Sequence, residues 1–195
     1  MMQQKKRKVI VVTDGDKVAK KAVELIAKKI GGRCISASAG NPTPLNGPQI
    51  LELVKKAPFD PIFIMIDDKG HSGKGQGEKV LEYLLKSPEI EILGVVAVAS
   101  DTQGTQGVKV DISITKEGQV VKQAVDKLGN LKVTKPKILE GDTVDVINNA
   151  DIPVIVGVGD IGKMEGYDSV YKQSPVTEKA IKEILIRSGY IHDYI

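Results

Sequence analysis

The chain has 195 residues, of which 41% are hydrophobic, 4% are aromatic and 27% are charged, and its formal net charge is +3 at pH 7. The apolar fraction argues against a disordered chain, and the length suits one sizeable α/β domain or two small ones, of which we predict a single domain over residues 1–195. The net charge is too small to indicate a nucleic-acid partner by itself, and none is expected.

The amino-terminal segment, residues 1–8, is a basic arm without an apolar run of signal-peptide length. Its block Lys5-Lys6-Arg7-Lys8 predicts a solvated arm or, alternatively, a weak electrostatic contact with an anionic membrane surface. No run of about 18 apolar residues occurs, so we expect no membrane-spanning helix. Cys34 is the one cysteine, so we expect no disulfide within the chain.

The first half of the chain predicts strands that alternate with helices. The predicted strands are β-branched or apolar runs at 9–13, 33–36, 61–66 and 92–99. The predicted helices begin near Lys17, at Pro48 and at Gln76, and each carries apolar residues along one side. Continuous apolar strands are typical of a parallel sheet that is buried on both faces.

The second half departs from this pattern. Residues 108–115 alternate apolar and polar side chains, which places Val108, Val110, Ile112 and Ile114 on one predicted face. A turn at 116–119 then leads to a second short apolar pair. This predicts an antiparallel hairpin or an edge strand around 108–125.

Three more elements complete the predicted fold. They are a short helix capped by Asp142, a buried strand at 153–160, and a last helix with Ser174 as N-cap and Pro175 at its first position. The alternation as a whole predicts a mostly parallel, Rossmann-like sheet with helices on both faces.

Four of the predicted strands end in aspartate with glycine nearby. The aspartates at these strand ends are Asp14, Asp16, Asp67, Asp68, Asp101 and Asp160. Right-handed crossovers bring the carboxyl ends of parallel strands to one edge, where open α/β sheets bind ligands. Carboxylates crowded there repel one another unless a cation lies among them, and their oxygens suit Mg²⁺ or Ca²⁺.

These aspartates also have structural interpretations. Asp16 is placed to cap the first helix, and Asp101 and Asp160 suit turns. Asp67 and Asp68 are adjacent, so at most one of them continues along the sheet toward the edge. Asp14 has no evident capping role and is therefore the better site candidate. Asp67, Asp68, Asp101 and Asp160 are ligand-binding candidates.

The loop after the third strand adds positive charge to the predicted site. Lys69, His71 and Lys74 are further ligand-binding candidates. The sequence GKGQG lacks the spacing of a P-loop, but free backbone N–H groups at the helix start and Lys74 favour an anion. His71 is either a general base, a ligand or an exposed loop histidine.

The sequence GVGDIG follows the last predicted strand and matches the glycine spacing of dinucleotide sites. The next residues, 163–175, do not predict an immediate helix, which such a site requires. We therefore interpret GVGDIG as a glycine-rich loop.

Two resemblances to known families arise. The segment VVTDGDKVAKKAVE resembles the Asp-x-Asp motif of Toprim domains, the metal-binding modules of topoisomerases and primases. This likeness implies that Asp14 and Asp16 hold a metal, and it makes a Mg²⁺-dependent phosphoryl-transfer or nucleotide-binding enzyme the alternative function. The glutamate that Toprim chemistry needs on an earlier strand has no match.

The second resemblance covers nearly the whole chain. KRKVIVVTDGD, IDDKGHSGKGQGE, VVAVASDTQG, IPVIVGVGDIGKMEGYD and SPVTEKAIKEIL are similar to the soluble stage V sporulation protein AE family. The resemblance implies a non-enzymatic accessory protein in calcium dipicolinate movement and germination, located in the developing spore at the inner membrane. Other spore membrane transport proteins are the implied partners.

The end of the chain is rich in tyrosine. Four of the five tyrosines lie within residues 167–195, namely Tyr167, Tyr171, Tyr190 and Tyr194. Tyrosine is favoured on surfaces that are half buried against a partner, so we predict a homo-oligomer or partner contact there. The alternative is ordinary packing of this segment onto the sheet.

Overall fold

The computed structural model describes residues 5–69, 74–101, 107–134, 137–141 and 145–191. The strands in these ranges are β1 (Arg7–Val12), β2 (Arg33–Cys34), β3 (Ile62–Met65), β4 (Ile90–Val98), β5 (Val108–Lys109), β6 (Ile112–Ile114), β7 (Val120–Val121), β8 (Ile138–Leu139) and β9 (Ile155–Val158). The α-helices are α1 (Lys17–Lys29), α2 (Gly47–Lys56), α3 (Gln76–Leu85), α4 (Asp145–Asn148) and α5 (Pro175–Arg187). No helix in these ranges has the length and apolar character that crossing a bilayer requires.

The main sheet has seven strands in the order β2-β3-β1-β4-β9-β6-β7. Every neighbouring pair is parallel except β6 and β7. A separate antiparallel pair joins β5 and β8. The prediction of a mostly parallel α/β sheet is therefore confirmed.

The helices cover both faces of the main sheet. Side chains of α1 and α5 pack on one face, against Ile10 and Val12 of the central strand β1. Side chains of α2, α3 and α4 pack on the other face, against Val9 and Val11. All four of these β1 residues are fully buried. Burial of each such side chain stabilises the fold by about 1.5–3 kcal/mol, which explains why the strand is apolar at consecutive positions.

The segment around 108–125 forms the predicted antiparallel hairpin and edge strand, but it is not one continuous strand. Val108 and Val110 pack on the α2 and α3 side of the sheet, whereas Ile112 and Ile114 pack on the α1 and α5 side. The prediction that these four residues share one face was therefore wrong. The chain bends at Asp111, whose carboxylate accepts a hydrogen bond from the Ile155 N–H at 2.8 Å.

The helix starts are set by side-chain oxygens. Asp16 caps α1, because its Oδ1 accepts hydrogen bonds from Val18 N at 2.7 Å and Ala19 N at 2.8 Å. Asn46 and Gln49 form a reciprocal capping box at α2, which begins at Gly47, one residue before the predicted Pro48. The predicted cap Asp142 lies outside the described residues.

The start of α5 uses a different residue from the predicted one. Ser174 occupies the N-cap position, but its side chain makes no capping hydrogen bond. Asp168 accepts hydrogen bonds from Val176 N at 2.9 Å and Thr177 N at 3.0 Å instead. Asp168 also accepts one from Gly162 N at 2.9 Å, so one buried carboxylate ties the loop after β9 to α5.

The connections around β1 place a crevice at the carboxyl edge of the sheet. The chain leaves β1 toward α1 on one face, and it leaves the adjacent β3 toward α3 on the opposite face. Loops that diverge in this way open a space beyond the strand ends. The predicted site residues follow these strands.

Candidate functional site

A cavity of about 280 Å³ opens at the carboxyl edge of the sheet, where β1, β3, β4 and β9 end. We call it the rim pocket. The rim pocket is lined by Thr13, Asp14, Asp16, Asn41, Asp67, Lys69, Val98, Ala99, Ser100, Lys127 and Asp160. Its lining combines four carboxylates with two lysines, so the cavity is polar and carries both signs of charge.

Asp14 is the most perturbed acid of the rim pocket. It is only 8% exposed, and its Oδ1 accepts a hydrogen bond from Asp16 N at 3.0 Å. Burial raises the pKa of Asp14 to about 7. The hydrogen bond from the Asp16 N–H lowers this pKa, whereas the negative charges of Asp16, Asp160 and Asp67 raise it. Asp14 therefore exchanges its proton near neutral pH, which an ordinary surface aspartate does not.

Asp14, Asp16 and Asp160 form a close group of carboxylates. One oxygen from each lies within 4.8 Å of the others. The Lys163 ammonium lies beside two of them, 2.6 Å from Asp16 Oδ2 and 3.1 Å from Asp160 Oδ1. The oxygen donor set suits Ca²⁺ or Mg²⁺. An ion held there would compete with the Lys163 ammonium for the same oxygens.

The contact with Lys163 changes the titration of both partners. Burial opposes the charged form of Asp16, but hydrogen bonds from Lys163 and from the first amides of α1 outweigh burial and lower the pKa of Asp16. Burial likewise opposes the charged form of Lys163, and the hydrogen bonds to Asp16 and Asp160 raise its pKa. Asp16 thus remains ionised at the pH where Asp14 titrates.

The Asp67 carboxylate connects the loop after β1 to the loop after β3 at the rim pocket. Its Oδ2 accepts a hydrogen bond from Gly15 N at 3.2 Å, and its Oδ1 accepts one from Lys69 N at 2.7 Å. The position of Gly15 requires glycine, because a Cβ there would lie 2.2 Å from the carbonyl oxygen of Gly40. The loop after β1 is therefore hydrogen-bonded to the loop after β3 and packed directly against the segment at Gly40, which follows β2.

Asp68 points away from the rim pocket. It is 1% exposed, and its carboxylate accepts hydrogen bonds from Gly77 N at 2.5 Å and Glu78 N at 3.2 Å. A carboxylate of the chain itself thus occupies the start of α3, where the sequence predicted an external anion. The divergence of Asp67 and Asp68 follows from the alternation of side chains along an extended chain.

The remaining predicted residues lie at the margin or elsewhere. Lys69 lines the rim pocket, whereas Lys74 forms an ion pair with Glu82 and lines another cavity, of about 580 Å³, beside α3 and α4. Asp101 is exposed and pairs with Lys127 at 2.8 Å. His71 lies outside the described residues.

Five of the nine predicted site residues therefore line one cavity. They are Asp14, Asp16, Asp67, Lys69 and Asp160. Sequence reasoning missed Lys127 and Lys163. Lys163 lies three residues after Asp160, a spacing that a loop motif could have suggested. No sequence signal connects Lys127 to this edge.

Packing at the glycine-rich loop explains how Lys127 reaches the pocket. A Cβ on Gly159 would lie 2.7 Å from both Gly129 N and Lys127 O. The absence of a side chain there lets the turn at 126–129 lie against the end of β9, and Asp160 N donates a hydrogen bond to Lys127 O at 2.8 Å. The first helical segment after GVGDIG is a 3₁₀ turn, Met164–Gly166, so the order of elements differs from that of a dinucleotide fingerprint.

The chain matches one known protein family over nearly its whole length. A family model described as stage V sporulation protein AE1 matches residues 8–188. The chain belongs to this family. Membership implies a sporulation-related role, and a spore-related location fits it. No curated protein and no solved structure matches the chain.

The match to the stage V sporulation protein AE1 family contains the whole candidate site. Every residue that lines the rim pocket falls within 8–188, and so does Lys163. The Toprim resemblance of the Asp14-Gly15-Asp16 motif is not confirmed by this match.

Proposed function

We propose that this member of the stage V sporulation protein AE1 family is a non-enzymatic accessory protein that acts in calcium dipicolinate movement and spore germination. The observation that carries the proposal is the mixed charge of the rim pocket. Calcium dipicolinate combines a divalent cation with a small dicarboxylate. A site for the pair needs oxygen ligands for the cation and positive charge for the anion.

The rim pocket offers both kinds of group. Asp14, Asp67 and Asp160 present carboxylates, and Lys69 and Lys127 line the same cavity. Ca²⁺ takes six to eight oxygen ligands, and those that the protein does not supply come from the bound dicarboxylate and water. We expect a weak site with a dissociation constant on the order of 10⁻⁴–10⁻³ M, the range of the weak Ca²⁺ sites in extracellular modules.

Titration calorimetry tests the proposed site directly. Ca²⁺ alone, dipicolinate alone and both together are titrated into the wild-type chain and into Asp14→Asn. The exposed Asp151→Asn is the matched control, because it makes the same chemical change away from the rim pocket. We expect heat with the pair, reduced in Asp14→Asn and retained in Asp151→Asn. No heat with any combination would exclude the site, and unchanged binding in Asp14→Asn would exclude Asp14 as a ligand.

The cellular role requires a separate test. Deletion of the gene in a spore-forming host should change dipicolinate uptake into the developing spore or the rate of germination. Complementation with the wild-type gene should restore the change, whereas the Asp14→Asn gene should restore it only in part. Normal dipicolinate content together with normal germination in the deletion strain would contradict the proposal.

The alternative function is a Mg²⁺-dependent enzyme of phosphoryl transfer or nucleotide binding. The close grouping of Asp14, Asp16 and Asp160 oxygens favours it. A thermal-shift panel of ATP, GTP and cyclic dinucleotides with Mg²⁺ separates the two functions. Stabilisation by one nucleotide, with turnover that Asp14→Ala abolishes, would favour the enzyme. No response across the panel would remove it.

Location and partners are part of the same proposal. We place the protein at the periphery of the spore inner membrane, with other spore membrane transport proteins as partners and with self-association through the tyrosine-rich end. Tyr171 is 99% exposed and Tyr167 is 44% exposed, which leaves both rings accessible to a partner. Tyr190 packs against the core on the α1 and α5 side, and Tyr194 lies outside the described residues.

The self-association is tested by the mass of the protein in solution. Tyr171→Ser and removal of residues 190–195 should each lower the mass if the tyrosine-rich end joins two copies. Lys172→Ser is the neighbouring control, since it changes the same surface without removing an aromatic ring. A wild-type chain that is monomeric at high concentration, with partners retained after truncation, would assign these tyrosines to packing alone.

A further inference from the structure

The opposite end of the sheet carries a second charged surface. A cavity of about 790 Å³ lies at the amino end of β1. We call it the basic groove. Its charged lining residues are Lys5, Lys6, Arg7, Lys8, Lys55, Glu89 and Glu91. Five basic and two acidic side chains give the groove a net positive charge, the reverse of the rim pocket at the other end of β1.

Part of this charge has a structural role. The Arg7 guanidinium pairs with Asp60 at 2.9 Å and donates hydrogen bonds to the carbonyl oxygens of Val54 and Lys55 at 3.1 and 3.0 Å. These contacts fix the start of β1 to the last turn of α2. Arg7 is therefore used in holding the fold together and contributes little free charge.

The two acidic side chains of the groove are also engaged. Glu91 pairs with Lys8 at 2.6 Å, and Glu89 pairs with Lys55 at 2.8 Å. Lys5 and Lys6 are exposed, and neither ammonium has an ion-pair partner in the described part of the chain. The unneutralised charge of the groove is thus concentrated on these two lysines.

An exposed aromatic ring lies at the same edge. Phe59 is 61% exposed, although Phe63, the other phenylalanine of the chain, is fully buried. Phe59 directly precedes Asp60, whose carboxylate binds Arg7 at the start of β1. Exposed basic residues beside an exposed phenylalanine are the combination that binds the interfacial layer of anionic membranes.

The charge distribution also defines an orientation. The carboxyl edge carries Asp14, Asp16, Asp67 and Asp160, whereas the amino edge carries Lys5 and Lys6. An anionic surface attracts the amino edge more strongly than the carboxyl edge, where Lys69, Lys127 and Lys163 offset part of the negative charge. A membrane contact at the basic groove would leave the rim pocket facing the aqueous side.

We propose that the amino edge of the sheet is a membrane-binding surface, where Lys5 and Lys6 contact anionic lipid headgroups and Phe59 enters the interfacial layer. This inference rests on the peripheral location that we proposed, and it adds the surface and the orientation. Vesicle binding needs neither calcium nor dipicolinate, so its outcome is independent of the calorimetry. Vesicle binding without heat from calcium dipicolinate would keep the membrane surface and remove the proposed ligand.

Flotation of the full chain with lipid vesicles tests the surface. Vesicles of phosphatidylcholine alone are compared with vesicles of phosphatidylcholine and phosphatidylglycerol, at low and high salt. We expect binding to the anionic vesicles only, weakened by salt. Each basic residue near such a surface contributes a factor of about five, so the double variant Lys5→Gln/Lys6→Gln should bind roughly 30-fold more weakly. Phe59→Ser should weaken binding about tenfold.

The matched control removes the same charge from the other end of the molecule. Lys17 and Lys21 are exposed on α1, which begins beside the rim pocket. The double variant Lys17→Gln/Lys21→Gln should retain binding within about twofold, because distant surface charges are screened. Equal losses in the two double variants would overturn the proposal. So would absence of wild-type binding to anionic vesicles, or binding of duplex DNA in its place.

The orientation is tested with a fluorescent label. Pro88→Cys places a thiol in the basic groove, and Lys21→Cys places one on α1. Cys34 is buried and burial raises its pKa to about 11, so the native thiol does not compete for the label. A nitroxide on the lipid headgroup should quench the label at position 88 and spare the label at position 21. Equal quenching at the two positions would overturn the orientation.

Discussion

The rim pocket and the start of α3 contain two buried aspartates in contrasting surroundings. Asp68 follows β3 and accepts hydrogen bonds from the Gly77 and Glu78 N–H groups. Asp14 follows the neighbouring β1, accepts one such bond, and faces other carboxylates. Asp68 is satisfied by the helix that it caps, so its burial is explained by the fold. Asp14 is buried against like charges, which makes it the better candidate for function.

The largest expected effect is the response of Asp14→Asn to pH. The pKa of Asp14 in the folded chain is raised from 3.8 to about 7, so the folded state binds its proton more tightly than the unfolded state. The free energy of unfolding of the wild type should therefore fall as pH rises from about 4 to about 7, and then level off. Asparagine does not titrate, so Asp14→Asn should be more stable above pH 7, by up to about 4 kcal/mol.

Urea unfolding at several pH values measures this difference. The two proteins should differ little near pH 4 and most above pH 7. A constant offset between wild type and Asp14→Asn from pH 4 to pH 8 would show that burial does not raise the pKa of Asp14, and it would remove this reason for setting Asp14 apart from Asp68.

The next largest effect concerns Asp168, the carboxylate that caps α5. Asp168→Ala would leave the N–H groups of Gly162, Val176 and Thr177 and the Thr177 hydroxyl without their acceptor in a fully buried position. We expect a loss of about 3 kcal/mol in the free energy of unfolding. Denaturant titration measures the loss, and Asp168→Asn, which keeps the shape and an acceptor oxygen, should lose less. Equal losses in the two variants would point to packing as the cause.

A smaller loss is expected at the start of α3. Asp68→Ala removes one helix cap and should lower the free energy of unfolding by about 1–2 kcal/mol. Because Asp68 lies outside the rim pocket, the variant should keep the calorimetric response to calcium dipicolinate. A stable Asp68→Ala protein that no longer binds this ligand would show that Asp68 contributes to the site. It would contradict the distinction between a structural Asp68 and a functional Asp14.

The smallest stability effect is expected at Lys163. Lys163→Met removes the ammonium that pairs with Asp16 and Asp160, and this partly exposed contact should be worth about 0.5 kcal/mol. The substitution should also raise the pKa of Asp16, because the hydrogen bond from Lys163 contributes to its lowering. NMR titration of the Asp16 carboxyl measures the change. An unchanged Asp16 titration would show that Lys163 is not its effective partner in solution.

Much of the fold follows from the hydrophobic pattern. The apolar runs and the helices with one apolar side predict the parallel sheet and the coverage of both faces, because burial on both sides requires consecutive apolar positions. The bend at Asp111 could not be predicted, since the alternation of 108–115 continues through it. The Asp111 carboxylate accepts its hydrogen bond from the N–H of Ile155, a residue of β9 that lies more than forty positions later in the sequence.

Part of the candidate site could also be predicted from the pattern of strands. Parallel topology alone brings Asp14, Asp67 and Asp160 to one edge. Asp67 faces the rim pocket and Asp68 caps α3. The sequence does not show which of two adjacent aspartates takes which position, because the two residues are identical. Lys127 reaches the pocket only because the turn that carries it packs on Gly159. Contacts of this kind join segments that have no shared sequence motif.

The central position of β1 has a consequence for synthesis of the protein on the ribosome. Val9 pairs with Ile92, and Val98 of β4 pairs in turn with Val158 of β9. β1 must therefore wait for a partner that is made much later, and the rim pocket cannot form until residue 160 has left the exit tunnel. Nascent chains that stop earlier expose apolar strand edges. A chaperone that holds the emerging amino-terminal half should improve the yield of this protein more than that of a helical bundle of equal length.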